Sequence, residues 1–127
     1  CSLSTMCGHS LAMEYNGDVF SCDHYVFPEY HLGNIRQQSL TEMAYGAKQQ
    51  QFRQMKTARL PRQCHECQWL FACHGECPKN RLDQGVNYLC EGYRQFFAHV
   101  ANDMDFMREE LKAQRTPANI MNHKKPR

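Results

Sequence analysis

With 127 residues, 15 basic and 13 acidic side chains and a formal net charge of +2, the chain is sized for one small domain and carries too little charge to argue for nucleic acid. Its longest wholly apolar run is a few residues, so neither a membrane-spanning helix nor a secretory signal is visible. Eight cysteines, about 6% of the chain, fall below the roughly 8–10% of a disulfide scaffold; in the reducing cytoplasm expected for it, they point to metal or catalysis.

The first 35 residues are acidic, with Glu14, Asp18, Asp23 and Glu29 and no Lys or Arg. From Ser10 the residues alternate apolar and polar on both sides of Asn16-Gly17, which predicts a hairpin with strands near 10–15 and 18–23 and both turn residues at positive φ. The hairpin carries Cys22 back toward Cys7. The aromatic segment that follows reads as irregular, with Pro28 limiting any strand to an edge. Ser39 and Glu42 form a capping box that opens a helix, with Leu40, Met43, Ala44, Ala47, Phe52 and Met55 as its apolar stripe through about Lys56. That helix reads as packing, with no chemistry on it. Pro61 leads into a cysteine array in which Gly75 and Pro78 imply turns. Gly85 and Asn87 mark a further turn before an amphipathic helix over roughly 88–114, whose stripe is Tyr93, Phe97, Val100, Met104, Met107 and Leu111. After Pro117 the basic residues Lys124, Lys125 and Arg127 read as a solvated, frayed end.

Cys64, Cys67, Cys73 and Cys77 are spaced C-x2-C-x5-C-x3-C and are followed at once by Pro78. The spacing resembles the bacterial ferredoxin run C-x2-C-x2-C-x3-C-P, whose fourth cysteine ligates a different cluster from the first three. On that pattern Cys77 leaves the array. Cys64, Cys67 and Cys73 then take Cys90, the one cysteine that follows, and Cys1, Cys7 and Cys22 receive Cys77. Thiolates suit zinc as well as iron with sulfide, so two all-cysteine zinc sites are the plain alternative. Zinc ribbons pair two C-x2-C knuckles, however, and this chain has only Cys64 and Cys67 in that arrangement. The irregular spacings suit a bulkier cubane. His9, His24, His65 and His74 lie close to cysteines and read as neighbours of the ligands or as solvated groups.

The intervals Cys7-x9-Gly17-x4-Cys22, Cys64-x2-Cys67-x5-Cys73-x3-Cys77 and the later Cys90 are similar to the seven-cysteine signature of the SPASM domain, the auxiliary-cluster extension of radical S-adenosylmethionine enzymes. Cys1, six positions before Cys7, and the stretch NGDVFSCDHYVFPEYHLGNI resemble the anaerobic sulfatase-maturating members. The resemblance implies a small, metal-cluster-stabilised α+β fold over 1–115, with an N-terminal β-hairpin, irregular cysteine-rich loops and two or three helices, then a flexible basic tail over 116–127. It assigns Cys1, Cys7, Cys22 and Cys77 to a first [4Fe-4S] cluster and Cys64, Cys67, Cys73 and Cys90 to a second.

Asp23 falls at the family's general base, and the negative charge of the adjoining cluster is expected to raise its pKa. The implied activity is conversion of a cysteine or serine of a sulfatase polypeptide to Cα-formylglycine, with flavodoxin or ferredoxin as reductant and no nucleic-acid or membrane partner. No C-x3-C-x2-C motif occurs here. A third [4Fe-4S] cluster and S-adenosylmethionine are therefore expected in an upstream barrel, and the piece alone is expected to be inactive. A zinc-stapled binding module, or the SPASM domain of an enzyme that modifies another peptide, are the alternatives.

Overall fold

The alternating residues around Asn16-Gly17 pair as an antiparallel hairpin, β1 (Ala12–Met13) and β2 (Asp18–Phe20), in a computed structural model that describes residues 2–82 and 85–123. The turn differs from the one expected: only Gly17 has positive φ, at 90°, and its amide donates to Glu14 O at 2.9 Å. This is a three-residue loop closed by a left-handed glycine, which gives the same strand reversal as a two-residue turn. Asn16 keeps ordinary φ because its side chain braces the loop, accepting from the Asp18 amide at 3.0 Å.

A third strand that the sequence did not announce, β3 (His31–Asn34), pairs antiparallel with β2, giving the order β1-β2-β3. It lies at an edge and begins only after Pro28, which starts a 3-10 turn and so adds no broken rung to the sheet. The register slips between Val19 and Phe20, leaving Leu32 as the bulged residue.

The helix expected to run from Ser39 to about Lys56 is two helices, α1 (Leu40–Tyr45) and α2 (Ala47–Ala58). The capping box forms as expected, with the Glu42 amide donating to Ser39 Oγ at 3.2 Å and the Ser39 amide to Glu42 Oε2 at 2.9 Å. Gly46 breaks the run with an extended ψ of 159°, and a Cβ there would stand 2.9 Å from Glu42 O. The break resets the helical phase and explains the imperfect stripe.

The cysteine array folds as short helices α3 (Arg62–His65) and α4 (Leu70–Cys73), then a 3-10 turn at Pro78–Asn80. The chain divides into two compact units, Cys1–Tyr88 and Leu89–Arg127. The second is built on α5 (Cys90–Lys112), within the range expected from its periodicity. Residues read from sequence as the start of a tail instead form a 3-10 turn at Pro117–Asn119 and α6 (Ile120–His123), both packed on α5. Glu110 fastens them: it is buried, accepts from Arg115 Nη2 at 2.6 Å, and accepts from Asn119 Nδ2 at 2.5 Å. No described helix is long and apolar enough to cross a membrane.

Candidate metal centre

Thiols make up a large part of the core of the first unit. Among the described residues, the buried apolar side chains are Val19, Tyr25, Met43 and Phe52 together with Cys7, Cys22 and Cys77. Cys7 and Cys22 pack with Tyr25 and Phe52 in one cluster. Tyr25, Tyr30 and Phe52 close one side of it as mutually edge-on rings, with centroids 4.7, 5.2 and 5.6 Å apart, and so keep water from the sulfurs.

Cys77 stands close enough to both other thiols for its charge to raise their pKa values. Burial is the larger cause: it raises Cys7 and pushes Cys22 up to about 11. Thiols held protonated in this way become thiolates only if a cation joins them, and metal ligation is the usual means.

Three elements fix these sulfurs, and the first is α2. Its inner face carries Gln49, Phe52 and Lys56, all buried. Gln49 Nε2 donates to Gly8 O and to Ser21 O, each at 3.2 Å, tying the residue after Cys7 to the residue before Cys22. Lys56 Nζ donates to Ser2 O at 2.6 Å and to Ser4 O, both within the loop that leads to Cys7.

The second element is the turn after β2. Cys22 is extended, and its carbonyl accepts from the Tyr25 amide at 3.0 Å, opening the 3-10 turn Asp23–Tyr25. Asp23 is exposed beside the buried sulfur, its Oδ1 3.2 Å from Cys22 Sγ. Its carboxyl lies below the usual range because the Cys22 thiol donates to it, opposite to the direction expected from sequence. The difference has a simple origin: a thiol has a proton to give and a thiolate does not. His24 Nδ1 sits 3.3 Å from Cys77 Sγ, so the histidine after Asp23 touches a sulfur distant in sequence.

The third element separates Cys77 from Cys73. In a right-handed helix residues four apart share a face. Here His74, Gly75 and Glu76 all have positive φ, at 49°, 72° and 51°, and this left-handed turn reverses the chain between the two cysteines. Buried Glu76 holds the turn, accepting from Asn80 Nδ2 at 3.1 Å and from Asn87 Nδ2. Arg81 Nε adds a bond to Gly75 O at 3.2 Å.

Cys64, Cys67 and Cys73 are half-buried on α3, in the following turn and at the end of α4. Each opens a turn, its carbonyl accepting an amide three residues on at 2.9–3.1 Å. Cys90 begins α5 in the second unit, and Cys1 lies outside the described residues. None of the seven described cysteines is in a disulfide.

Among the described residues no three His, Cys, Asp or Glu side chains are drawn close enough to hold one metal ion. Buried thiols, one of them under the influence of the Lys56 ammonium, suit an anionic, thiolate-ligated centre. Reading the sequence by apolar periodicity alone missed Gln49, Lys56 and Glu76. The available signal was two polar residues, at 49 and 56, on the helix face that also carries Phe52.

The comparisons agree with this chemistry. The profile of SPASM, an iron-sulfur cluster-binding domain, matches residues 1–68. A serine-type anaerobic sulfatase-maturating enzyme of Bacteroides thetaiotaomicron is 57% identical over 127 residues, covering 95% of this chain and 31% of that protein. A cysteine-type anaerobic sulfatase-maturating enzyme of Clostridium perfringens is 29% identical over 106 residues, covering 79% of this chain and 28% of that protein. The solved structure of native anSMEcpe with bound AdoMet and Kp18Cys peptide superposes with a TM-score of 0.69 at 28% identity, over 80% of this chain and 29% of that one. The chain thus spans about a third or less of the length of these relatives. With the profile covering more than half of its residues, and with thiols forming a large part of its core, the chain belongs to the SPASM family of iron-sulfur cluster-binding domains.

Proposed function

We propose that this chain is the auxiliary-cluster part of a radical S-adenosylmethionine oxidoreductase that converts a cysteine or serine of a sulfatase to Cα-formylglycine. The observation that carries the proposal is the burial of Cys7, Cys22 and Cys77 in one core, in a chain 57% identical to a serine-type sulfatase-maturating enzyme. When bound, iron-sulfur clusters supply one-electron redox chemistry. Cys7, Cys22 and Cys77, with Cys1, hold the first [4Fe-4S] cluster; Cys64, Cys67 and Cys73, with Cys90, hold the second. The left-handed turn at His74–Glu76 sends Cys73 and Cys77 to different sites.

Asp23 is the base. It is exposed while its neighbour Cys22 is buried, so Oδ1 or Oδ2 could take a proton from an incoming peptide beside the residues that would hold the first cluster. S-adenosylmethionine and a third cluster bind upstream, a flavodoxin or ferredoxin supplies electrons, and the whole acts in the cytoplasm. The higher identity to a serine-type than to a cysteine-type relative, 57% against 29%, favours a serine substrate.

The test uses the full-length enzyme, prepared without oxygen. Cys77→Ala should cost about four irons and the first centre's signal while sparing the second, and Cys64→Ala should do the reverse. Asp23→Asn should keep all the iron and slow formylglycine formation by about 10²–10⁴-fold. Zinc in place of iron in the wild type would refute the cluster reading, and full activity in Asp23→Asn would remove that residue from the mechanism.

A further inference from the structure

Lys56 is 1% exposed on the inner face of α2, beside buried Gln49 and Phe52. Its ammonium donates to the Ser2 and Ser4 carbonyls, and among the described residues no carboxylate forms an ion pair with it. A buried ammonium without a countercharge is costly, and two carbonyl dipoles offset only part of that cost. The groups that face it electrostatically are Cys7, Cys77 and Glu76, with the Arg81 guanidinium opposing. Two of those three acidic groups are the thiols assigned to the first centre, and the loop the ammonium grips joins Cys1 to Cys7. Its charge already counters the effect of burial on the Cys7 thiol.

We propose that Lys56 is the built-in countercation of the first iron-sulfur centre, and that its charge raises the reduction potential there so that the electron released by the substrate is accepted more readily. The inference rests on the ligand assignment above. Its sign follows from charge: reduction adds one negative charge to an anionic centre, and net charge nearby is one of the quantities that set the potential. A fixed cation favours the reduced form, and its removal must disfavour it. A residue needed only to hold the loop could be replaced by an uncharged hydrogen-bond donor with no change in potential.

The experiment is a redox titration, followed by electron paramagnetic resonance, of full-length wild type, Lys56→Met, Lys56→Gln, Lys56→Arg and Cys77→Ala, with iron counted in each. In Lys56→Met the signal that Cys77→Ala abolishes should titrate at a potential lower by at least tenfold in equilibrium constant, about 59 mV for one electron. Lys56→Arg should stay within threefold of wild type. If Lys56→Met loses the first centre's iron, Lys56→Gln, which keeps a donor for the Ser2 and Ser4 carbonyls without the charge, should retain the iron and show the lowered potential, and an unchanged potential there overturns the role. An unchanged potential in an iron-replete Lys56→Met overturns it, as does equal loss of iron in Lys56→Met and Lys56→Arg, which would mark a packing role. If Cys77→Ala keeps every signal, the ligand assignment itself fails; if that variant behaves as expected while Lys56→Met does not, only the role of Lys56 falls.

Discussion

Replacing Gly8 by alanine tests whether Gln49 ties the Cys7 and Cys22 loops together. Gly8 has φ of +73°, where a Cβ costs about 1–2 kcal/mol. That Cβ would stand 2.5 Å from Gln49 Nε2 and 3.1 Å from Arg53 Cγ. The arginine stem can shift by a few tenths of an ångström, but the Gln49 amide has nowhere to go. It is fully buried and committed to Gly8 O and Ser21 O at 3.2 Å. Displacing it forfeits two hydrogen bonds at roughly 0.5–1.5 kcal/mol each. Reduced freedom of the unfolded chain returns roughly 0.4–1 kcal/mol. The net cost comes to about 3 kcal/mol, some two thirds of it routed through Gln49.

A double-mutant cycle isolates that share. Native-state hydrogen exchange read by mass spectrometry on peptides covering residues 7–22 of the full-length protein gives the opening free energy of this region alone. Gly8→Ala should lower it by about 3 kcal/mol in the wild-type background and by only about 1 kcal/mol beside Gln49→Ala. Gly8→Ala should also deplete the first centre of iron while sparing the second. Costs that add within about 0.5 kcal/mol would show that the two residues are uncoupled and would refute the tether.

Glu76→Ala should cost about 2–4 kcal/mol in the same exchange measurement over residues 73–82, because the Asn80 and Asn87 amides lose their acceptor in a buried place; unchanged protection would deny that Glu76 holds the left-handed turn. Phe52→Ala should cost about 3–5 kcal/mol, since it removes the ring shared by Tyr25 and Tyr30 over the thiols, and a cost below about 1 kcal/mol in the exchange of residues 19–30 would refute that packing. In the second unit Arg115 first, then Asn119, hold the Glu110 carboxyl down to about 2, against an ordinary value of 4.5. A depressed carboxylate stabilises fully above its ordinary value and loses that contribution as pH falls toward the folded one, so protection of residues 115–123 should decline between about pH 4.5 and 2. Glu110→Gln should lose it already at neutral pH, and an acid-insensitive, variant-insensitive segment would contradict the ion pair.

How much of this could be read in advance depended on the range of the interaction. The capping box at Ser39 and the glycine turn at Gly17 are settled by residues within four positions, and both were legible. The break at Gly46 is local too, yet the apolar stripe ran past it, because glycine permits a kink without requiring one. β3 was missed because its residues pair with β2 residues 11 to 16 positions away, across an aromatic segment with no alternation of its own. Gln49 and Lys56 bond to backbone 28 to 54 residues distant in sequence, and no helical pattern encodes that.

The proposed departure of Cys77 from its own array turns on the backbone between Cys73 and Cys77. The ferredoxin-like proline after it suggested the crossing, and what supports that reading lies one step earlier, in three consecutive left-handed residues of which only Gly75 is a glycine. His74 and Glu76 each carry a Cβ in a conformation that costs about 1–2 kcal/mol, and such strain persists only where other contacts over-determine it. Here those contacts come from Asn80, Arg81 and Asn87, residues that a cysteine count does not consult. The turn that leads into Cys77 is thus held by the amides of Asn80 and Asn87 and by a guanidinium. Perturbing those groups should therefore strike the first centre sooner than the second, although they follow the second centre's three adjoining ligands in the chain.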